Sequence, residues 1–62
     1  MTQVKIYEWP ESSMKYSKAL DIMAKIREDG HEVLSEIELN HITYYVELDN
    51  DADAIIFRLS YL

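Results

Sequence analysis

Hydrophobic and polar residues alternate along the first segment of the chain, and this pattern predicts a β-strand over residues 2–9. Val4 and Ile6 occupy one side of the segment, and Tyr7 and Trp9 occupy the other. Successive side chains of a strand point to opposite faces of a sheet, so alternation is typical of a strand that buries one face. We therefore expect Val4 and Ile6 to point toward a core and Tyr7 and Trp9 to point away from it.

The next segment has helical spacing. Apolar residues recur at steps of three and four over residues 14–28, which places them on one side of an α-helix. Pro10 has no backbone N–H and ends the preceding strand. Ser12 or Ser13 is predicted to cap the start of the helix, because a serine oxygen can accept from the free amides of the first turn. Gly30 is predicted to cap its end.

Alternation returns in the second half of the chain and predicts three more strands. They cover residues 31–39, 42–48 and 54–62, with a tight turn at 40–41 and a polar loop at 49–53. The predicted order is β-α-β-β-β. One helix on one face of a mostly antiparallel sheet makes a two-layer α+β fold. Residues 1–62 are expected to form a single domain.

The other face of this predicted sheet would carry apolar side chains that one helix cannot cover. Trp9, Tyr45 and Ile56 are the residues that we expect there. Exposed apolar patches usually mark an interface, and the most common closed assembly is a symmetric dimer. The chain has 62 residues and no cysteine, so it cannot use a disulfide to support a small core. We therefore predict a homodimer with these three residues at its interface.

Charge is distributed unevenly along the chain. The net charge is −6, yet residues 1–30 hold five acids and five bases. No lysine or arginine lies between Arg27 and Arg58. Direct binding to nucleic acid or to an anionic membrane requires clustered bases, so both are disfavoured. The pattern favours a basic partner. No apolar run has the length of a signal peptide or a membrane span, which leads us to expect a soluble cytoplasmic protein.

Seven acids in the base-free segment are the candidate partner-binding residues. They are Glu32, Glu36, Glu38, Glu47, Asp49, Asp51 and Asp53. Acids two positions apart on a strand share a face at a spacing of ~6.6 Å, so they form a file of charge. The functional interpretation is that this file imitates the phosphates of a nucleic acid strand. The alternative is a solvated surface that also discourages edge-to-edge aggregation.

Catalytic and metal-binding patterns are absent from the sequence. With one glycine and no cysteine, the chain has no phosphate-binding loop and no nucleophile motif. His31 and His41 are too far apart in sequence to form a local metal pair. The acids of 49–53 begin like a calcium loop, but Ala54 and Ser60 replace the required glycine and glutamate. We expect no enzyme activity, no cofactor and no dedicated metal site.

In size, acidity and predicted element order, the chain resembles small acidic proteins that bacteriophages produce to disable DNA-binding proteins of the host. Two groups of these proteins inhibit uracil-DNA glycosylase and the nucleoid protein HU. The resemblance implies a dimer with one helix beside a small antiparallel sheet, in which acids stand in for DNA phosphates. It covers the whole chain but rests on no sequence motif, so it assigns no role to an individual residue.

The predicted function is therefore a phage-encoded inhibitor that mimics DNA in the bacterial cytoplasm. It would block the DNA-binding surface of a basic host protein. The alternative is a structural or assembly module that binds through an apolar sheet face. In that case the acids would only keep the protein soluble.

Overall fold

The three strands of the protein form one antiparallel sheet, in which the third strand of the chain lies between the first and the second. The computed structural model describes residues 1–62. The elements are β1 (Thr2–Trp9), α1 (Tyr16–Glu28), β2 (Leu34–Glu38), β3 (His41–Leu48) and α2 (Asp51–Tyr61). The α+β class and the antiparallel sheet are confirmed. The predicted order β-α-β-β-β is wrong at its last element, because the chain ends in a helix.

The last element is a helix because its start is capped and its apolar residues also fit helical spacing. The Asn50 side chain accepts a hydrogen bond from the Asp53 amide at 2.9 Å. Asp51 and Asp53 lie in the first turn, where a negative charge interacts favourably with the helix dipole. Ala54 and Phe57, three positions apart, are the buried residues of α2. An apolar run of this length fits a strand or a helix, and the cap favours the helix.

A β-bulge in β1 changes which side chains face the core. Val4 pairs with Val46 and Tyr7 pairs with Tyr44, but the register shifts between them, so Ile6 is an extra residue. Ile6 and Tyr7 are both buried although they are adjacent. The prediction that Tyr7 and Trp9 point away from Val4 is therefore wrong. After the bulge, both point to the same side as Val4.

The helix α1 begins later than predicted and has no side-chain cap. Its N-cap residue is Lys15, so the predicted serine cap is wrong. The Ser12 hydroxyl instead accepts a hydrogen bond from the Glu8 amide at 3.1 Å, across the turn at Pro10. The prediction for Gly30 is confirmed: it has φ of 98° and donates to the Arg27 carbonyl.

One hydrophobic core lies between the sheet and the two helices. Its nine buried residues are Val4, Ile6, Tyr7, Ala19, Met23, Ile26, Val46, Ala54 and Phe57. Residues of both helices join Val4 and Val46 in this cluster, so both helices cover the same face of the sheet. The opposite face has no helix on it. Neither helix has the length and apolar character needed to cross a membrane.

Strands β2 and β3 form a hairpin whose two-residue turn lies one position earlier than the predicted turn at residues 40–41. Glu38 pairs with His41, which leaves Leu39 and Asn40 as a two-residue loop. Asn40 has φ of 63°, in the left-handed region that asparagine tolerates better than most residues. His41 therefore belongs to the central strand rather than to the turn. This position brings its side chain beside β1.

Candidate functional site

The uncovered side of the sheet, called the open face below, carries most of the polar side chains of the three strands. Its members follow from the register, because residues paired across an antiparallel ladder point to the same side. The open face contains Gln3, Lys5, Glu8, Leu34, Glu36, Glu38, His41, Thr43, Tyr45 and Glu47. It is thus mixed in charge near β1 and acidic along β2.

The seven candidate acids do not lie in one region of the surface. Glu36 and Glu38 lie on the open face along the edge strand β2. The predicted file from Glu47 to Asp53 does not continue as a strand, because the chain turns into α2 at Asp51. Glu32 precedes β2 and is exposed. The acids therefore do not form one straight file.

Three of these acids meet again at a groove between β3 and α2. Glu47, Asp49 and Asp53 line a cavity of about 450 Å³. Its other lining residues are His31, Leu48, Ile56, Phe57, Ser60 and Tyr61. We call it the acidic groove. Asp49 and Asp53 bring negative charge to this partly apolar lining, whereas the strand register points the Glu47 side chain to the open face. Negative charge beside apolar surface suits the long apolar stem and charged head of a lysine or arginine side chain.

None of the seven acids forms an ion pair. The ion pairs of the protein involve only Lys5, Glu8, Glu11 and His41. Six of the seven acids are exposed, and Glu47 is half-buried. Asp51 is engaged locally, since its carboxylate accepts a hydrogen bond from the Thr2 hydroxyl at 2.6 Å. The remaining charge is free to interact with a partner.

The three residues predicted for a dimer interface lie on three different surfaces. Tyr45 is half-buried on the open face, whereas Trp9 lies on the helix side of the sheet because of the bulge in β1. Ile56 is on α2 and is 62% exposed. They cannot act as one patch, and the predicted common face is wrong.

Trp9 belongs instead to an apolar groove at the end of the core. The groove has a volume of about 400 Å³ and is lined only by apolar and aromatic residues: Tyr7, Trp9, Tyr16, Ile42 and Tyr44. We call it the aromatic groove. A hydrogen bond with Tyr16, and then burial, raise the pKa of the Tyr44 phenol. Ile37 pairs with Ile42 and is 74% exposed, so the apolar surface extends to β2.

The two histidines have different surroundings. His31 packs edge-on against the rings of Phe57 and Tyr61, with centroids 5.3 and 6.1 Å away. The Tyr61 hydroxyl donates a hydrogen bond to Asp29, and this contact raises the pKa of the phenol. His31 therefore has a packing role between the α1–β2 loop and α2.

His41 lies between two carboxylates that sequence reasoning did not associate with it. Its Nε2 atom is 2.8 Å from a Glu8 oxygen and 3.3 Å from a Glu11 oxygen. Lys5 also binds Glu8, at 3.1 Å. Hydrogen bonds from Lys5 and then from His41 hold the pKa of Glu8 below its ordinary value. Glu8 and His41 are 33 positions apart, so only the pairing of β1 with β3 brings them together.

Comparison with models of protein families, with curated proteins and with solved structures finds no match.

Proposed function

We propose that this protein is a small acidic inhibitor that binds a basic host protein and mimics the phosphates of DNA. The target is a DNA-binding protein of the bacterial cytoplasm, such as HU or uracil-DNA glycosylase, and the source is a bacteriophage. The inhibitor acts without a catalytic step, since it occupies the surface that DNA would use. It binds neither nucleic acid nor membrane directly.

One observation supports this proposal above the others. Seven acids occupy a segment without lysine or arginine, and none of them has an ion-pair partner within the chain. Unpaired surface charge of one sign attracts a partner of the opposite sign and accelerates association. An acidic surface that only keeps the protein soluble could also contain scattered lysines and arginines. In a surface that mimics DNA phosphates, such bases would cancel part of the negative charge.

The two acidic regions would contact the target in different ways. Glu36 and Glu38 share the open face of an exposed edge strand, where their spacing is ~6.6 Å. The acidic groove, with the carboxylates of Asp49 and Asp53 at its lining, can accept a basic side chain from the partner. Together they would present separated negative charges to a cationic cleft.

Charge reversal tests the proposal with a matched control. The variant Glu36→Lys/Glu38→Lys removes the acids of the edge strand. The control Asp21→Lys/Glu28→Lys alters two exposed acids of α1 and changes the net charge equally. We expect the first variant to lose binding to a basic DNA-binding protein such as HU, and the control to retain most of it. Equal binding by both variants would contradict DNA mimicry.

Salt provides an independent measurement. Exposed charges are screened over ~10 Å at 0.1 M ionic strength, so an interface made of many charge pairs weakens steeply as salt rises. Binding partners captured from a bacterial lysate at low salt should elute early in a salt gradient. A partner that stays bound at high salt favours the second candidate function.

The second candidate is an assembly module that binds through apolar surface, with the acids serving solubility. The aromatic groove supports it, because Trp9 and Tyr16 are each 49% exposed beside a wholly apolar lining. Trp9→Ser should then abolish partner binding or homodimer formation, measured by sedimentation. Leu59→Ser is the matched control, since Leu59 is 83% exposed on α2 and lies outside the groove.

A homodimer is part of both candidates. Two copies would double the number of acids presented to a target, and a dimer would also cover apolar surface that a single chain exposes. Sedimentation equilibrium measures the mass directly. A monomer at the concentration needed for target binding would exclude the dimer from the mechanism.

A further inference from the structure

We propose that Glu8, Glu11 and His41 form a zinc site with three protein ligands. The three side chains offer one imidazole nitrogen and two carboxylate oxygens, and these donor atoms all lie within 4.8 Å of one another. Nitrogen and oxygen donors of this kind are ordinary zinc ligands. The site is independent of the proposed function, because none of its residues belongs to the seven acids.

The spacing of the donor atoms fits a shared cation. Ligand atoms ~2.1 Å from a tetrahedral zinc ion are ~3.4 Å from one another. The His41 nitrogen is 3.3 Å from Glu11, close to this value, and 2.8 Å from Glu8, whose carboxylate would have to move back by ~0.6 Å to admit the ion. The Glu11 side chain is 60% exposed and can adjust its position without disturbing the core.

Hydrogen bonding alone satisfies this arrangement poorly. The Nε2 atom of an imidazole carries at most one proton, which can point well at only one acceptor. Two carboxylates nevertheless approach the same nitrogen of His41. A divalent cation in place of that proton would bind the nitrogen and both carboxylates, and the two negative charges would balance its own.

Lys5 is the competitor for this position. Its ammonium group contacts both oxygens of Glu8, at 3.1 and 3.2 Å. The Lys5 side chain is 57% exposed, so it can move into solvent when a cation binds. The competition predicts that removing the ammonium group increases the affinity for zinc. An ion-pair network with no metal function predicts no such gain.

The site would join two parts of the fold that are distant in sequence. Glu8 and Glu11 flank the turn at Pro10, while His41 is the first residue of the central strand. A cation held by all three would fasten the end of β1 to the start of β3. A domain of 62 residues without cysteine has few other means of adding a cross-link.

This inference differs from the sequence-based expectation of no metal site. That expectation considered His31 and His41 as a local pair and the acids of 49–53 as the start of a calcium loop. The carboxylate ligands come from the other side of the β1–β3 ladder, where Glu8 pairs with Thr43. Spacing along the chain gives no sign of them.

Zinc titration of metal-free protein tests the proposal. Calorimetry should give one zinc ion per chain, and Mg²⁺ should bind much more weakly because an imidazole nitrogen favours zinc. At a zinc concentration 100 times the dissociation constant, the melting temperature should rise by roughly 10 °C or more. The visible spectrum of bound Co²⁺ should report a nitrogen and oxygen ligand set of low coordination number.

Two ligand variants with two matched controls identify the ligands, and a fifth variant tests the competition by Lys5. His41→Gln and Glu11→Gln should each weaken zinc binding by more than ~10-fold, since even outer-shell partners of a metal change its affinity by 10–100-fold. His31→Gln and Glu28→Gln are their controls and should bind zinc like the parent protein. Glu11 and Glu28 are both exposed, so this pair keeps the test valid even if the histidine variants are unstable. Lys5→Gln should bind zinc more tightly than the parent.

Three results would overturn the site. The first is the absence of stoichiometric zinc binding. The second is binding that survives Glu11→Gln and His41→Gln but is lost in His31→Gln, which would move the metal to the acidic groove. The third is equal binding of Zn²⁺ and Mg²⁺, which would mean attraction to surface carboxylates alone.

Discussion

The side chain of Asn50 accepts a hydrogen bond from the backbone amide of Asp53 at 2.9 Å, and this contact fixes the start of α2. Asn50→Ala should lower the free energy of unfolding by ~1 kcal/mol, because the amide loses its partner. Urea denaturation measures the change. Asn50→Ser restores a capping oxygen and should recover most of the loss. Equal stability of both variants with the parent would mean that this cap does not stabilise α2.

Gly30 ends α1 with φ of 98°, a conformation that costs little for glycine alone. Gly30→Ala should lower the free energy of unfolding by ~1–2 kcal/mol. The cause is the backbone, because no atom lies within 4 Å of the position that a Cβ would take. Gly30→Asn should cost less, since asparagine tolerates positive φ. A larger loss for asparagine than for alanine in thermal melts would contradict this explanation.

Ile26 is fully buried in the core, whereas Ile55 is 56% exposed on α2. Ile26→Val deletes one methylene group from the core and should lower the free energy of unfolding by ~0.5–1.5 kcal/mol. The same substitution at Ile55 should change it by less than ~0.5 kcal/mol. Denaturation with urea compares the two variants directly. The opposite ranking would mean that Ile55, and not Ile26, packs in the core.

The Tyr61 hydroxyl donates to Asp29, so the pKa of this phenol lies above its ordinary value of 10.0. Since the folded pKa is raised, the contribution of this contact is complete below pH 10 and is lost as pH rises through the folded pKa. The parent protein should thus lose this part of its stability in alkaline solution. Tyr61→Phe should show less of that loss when melting temperatures are compared across pH. Identical alkaline profiles would show that the contact contributes nothing.

The sequence predicts α1 and its end well, because both depend on local chemistry. Apolar residues at helical spacing define the helix, and Gly30 marks where it stops. The hairpin of β2 and β3 also follows from local alternation. The predicted strand at residues 54–62 is wrong, because a run of apolar residues fits both the two-residue period of a strand and the 3.6-residue period of a helix. The cap at Asn50 was the local signal that could have decided between them.

The arrangement of the surfaces depends on contacts that sequence spacing does not contain. The bulge at Ile6 moves Trp9 to the helix side, and the start of α2 breaks the predicted file of acids. Glu8 and His41 meet only because β1 pairs with β3. The charge asymmetry of the chain needs no such contacts, so the acidic character of the candidate surface was predictable while its shape was not.

The bulge in β1 also makes the sheet tolerant of a change in chain length at one position. The segment 2–9 of β1 lies opposite the segment 42–48 of β3, which is one residue shorter. Ile6 is therefore left without a partner in β3. A homologous chain without that residue could keep every other pair of this ladder in place. Its remaining side chains would still point to their present sides, and the loss would be confined to one buried isoleucine.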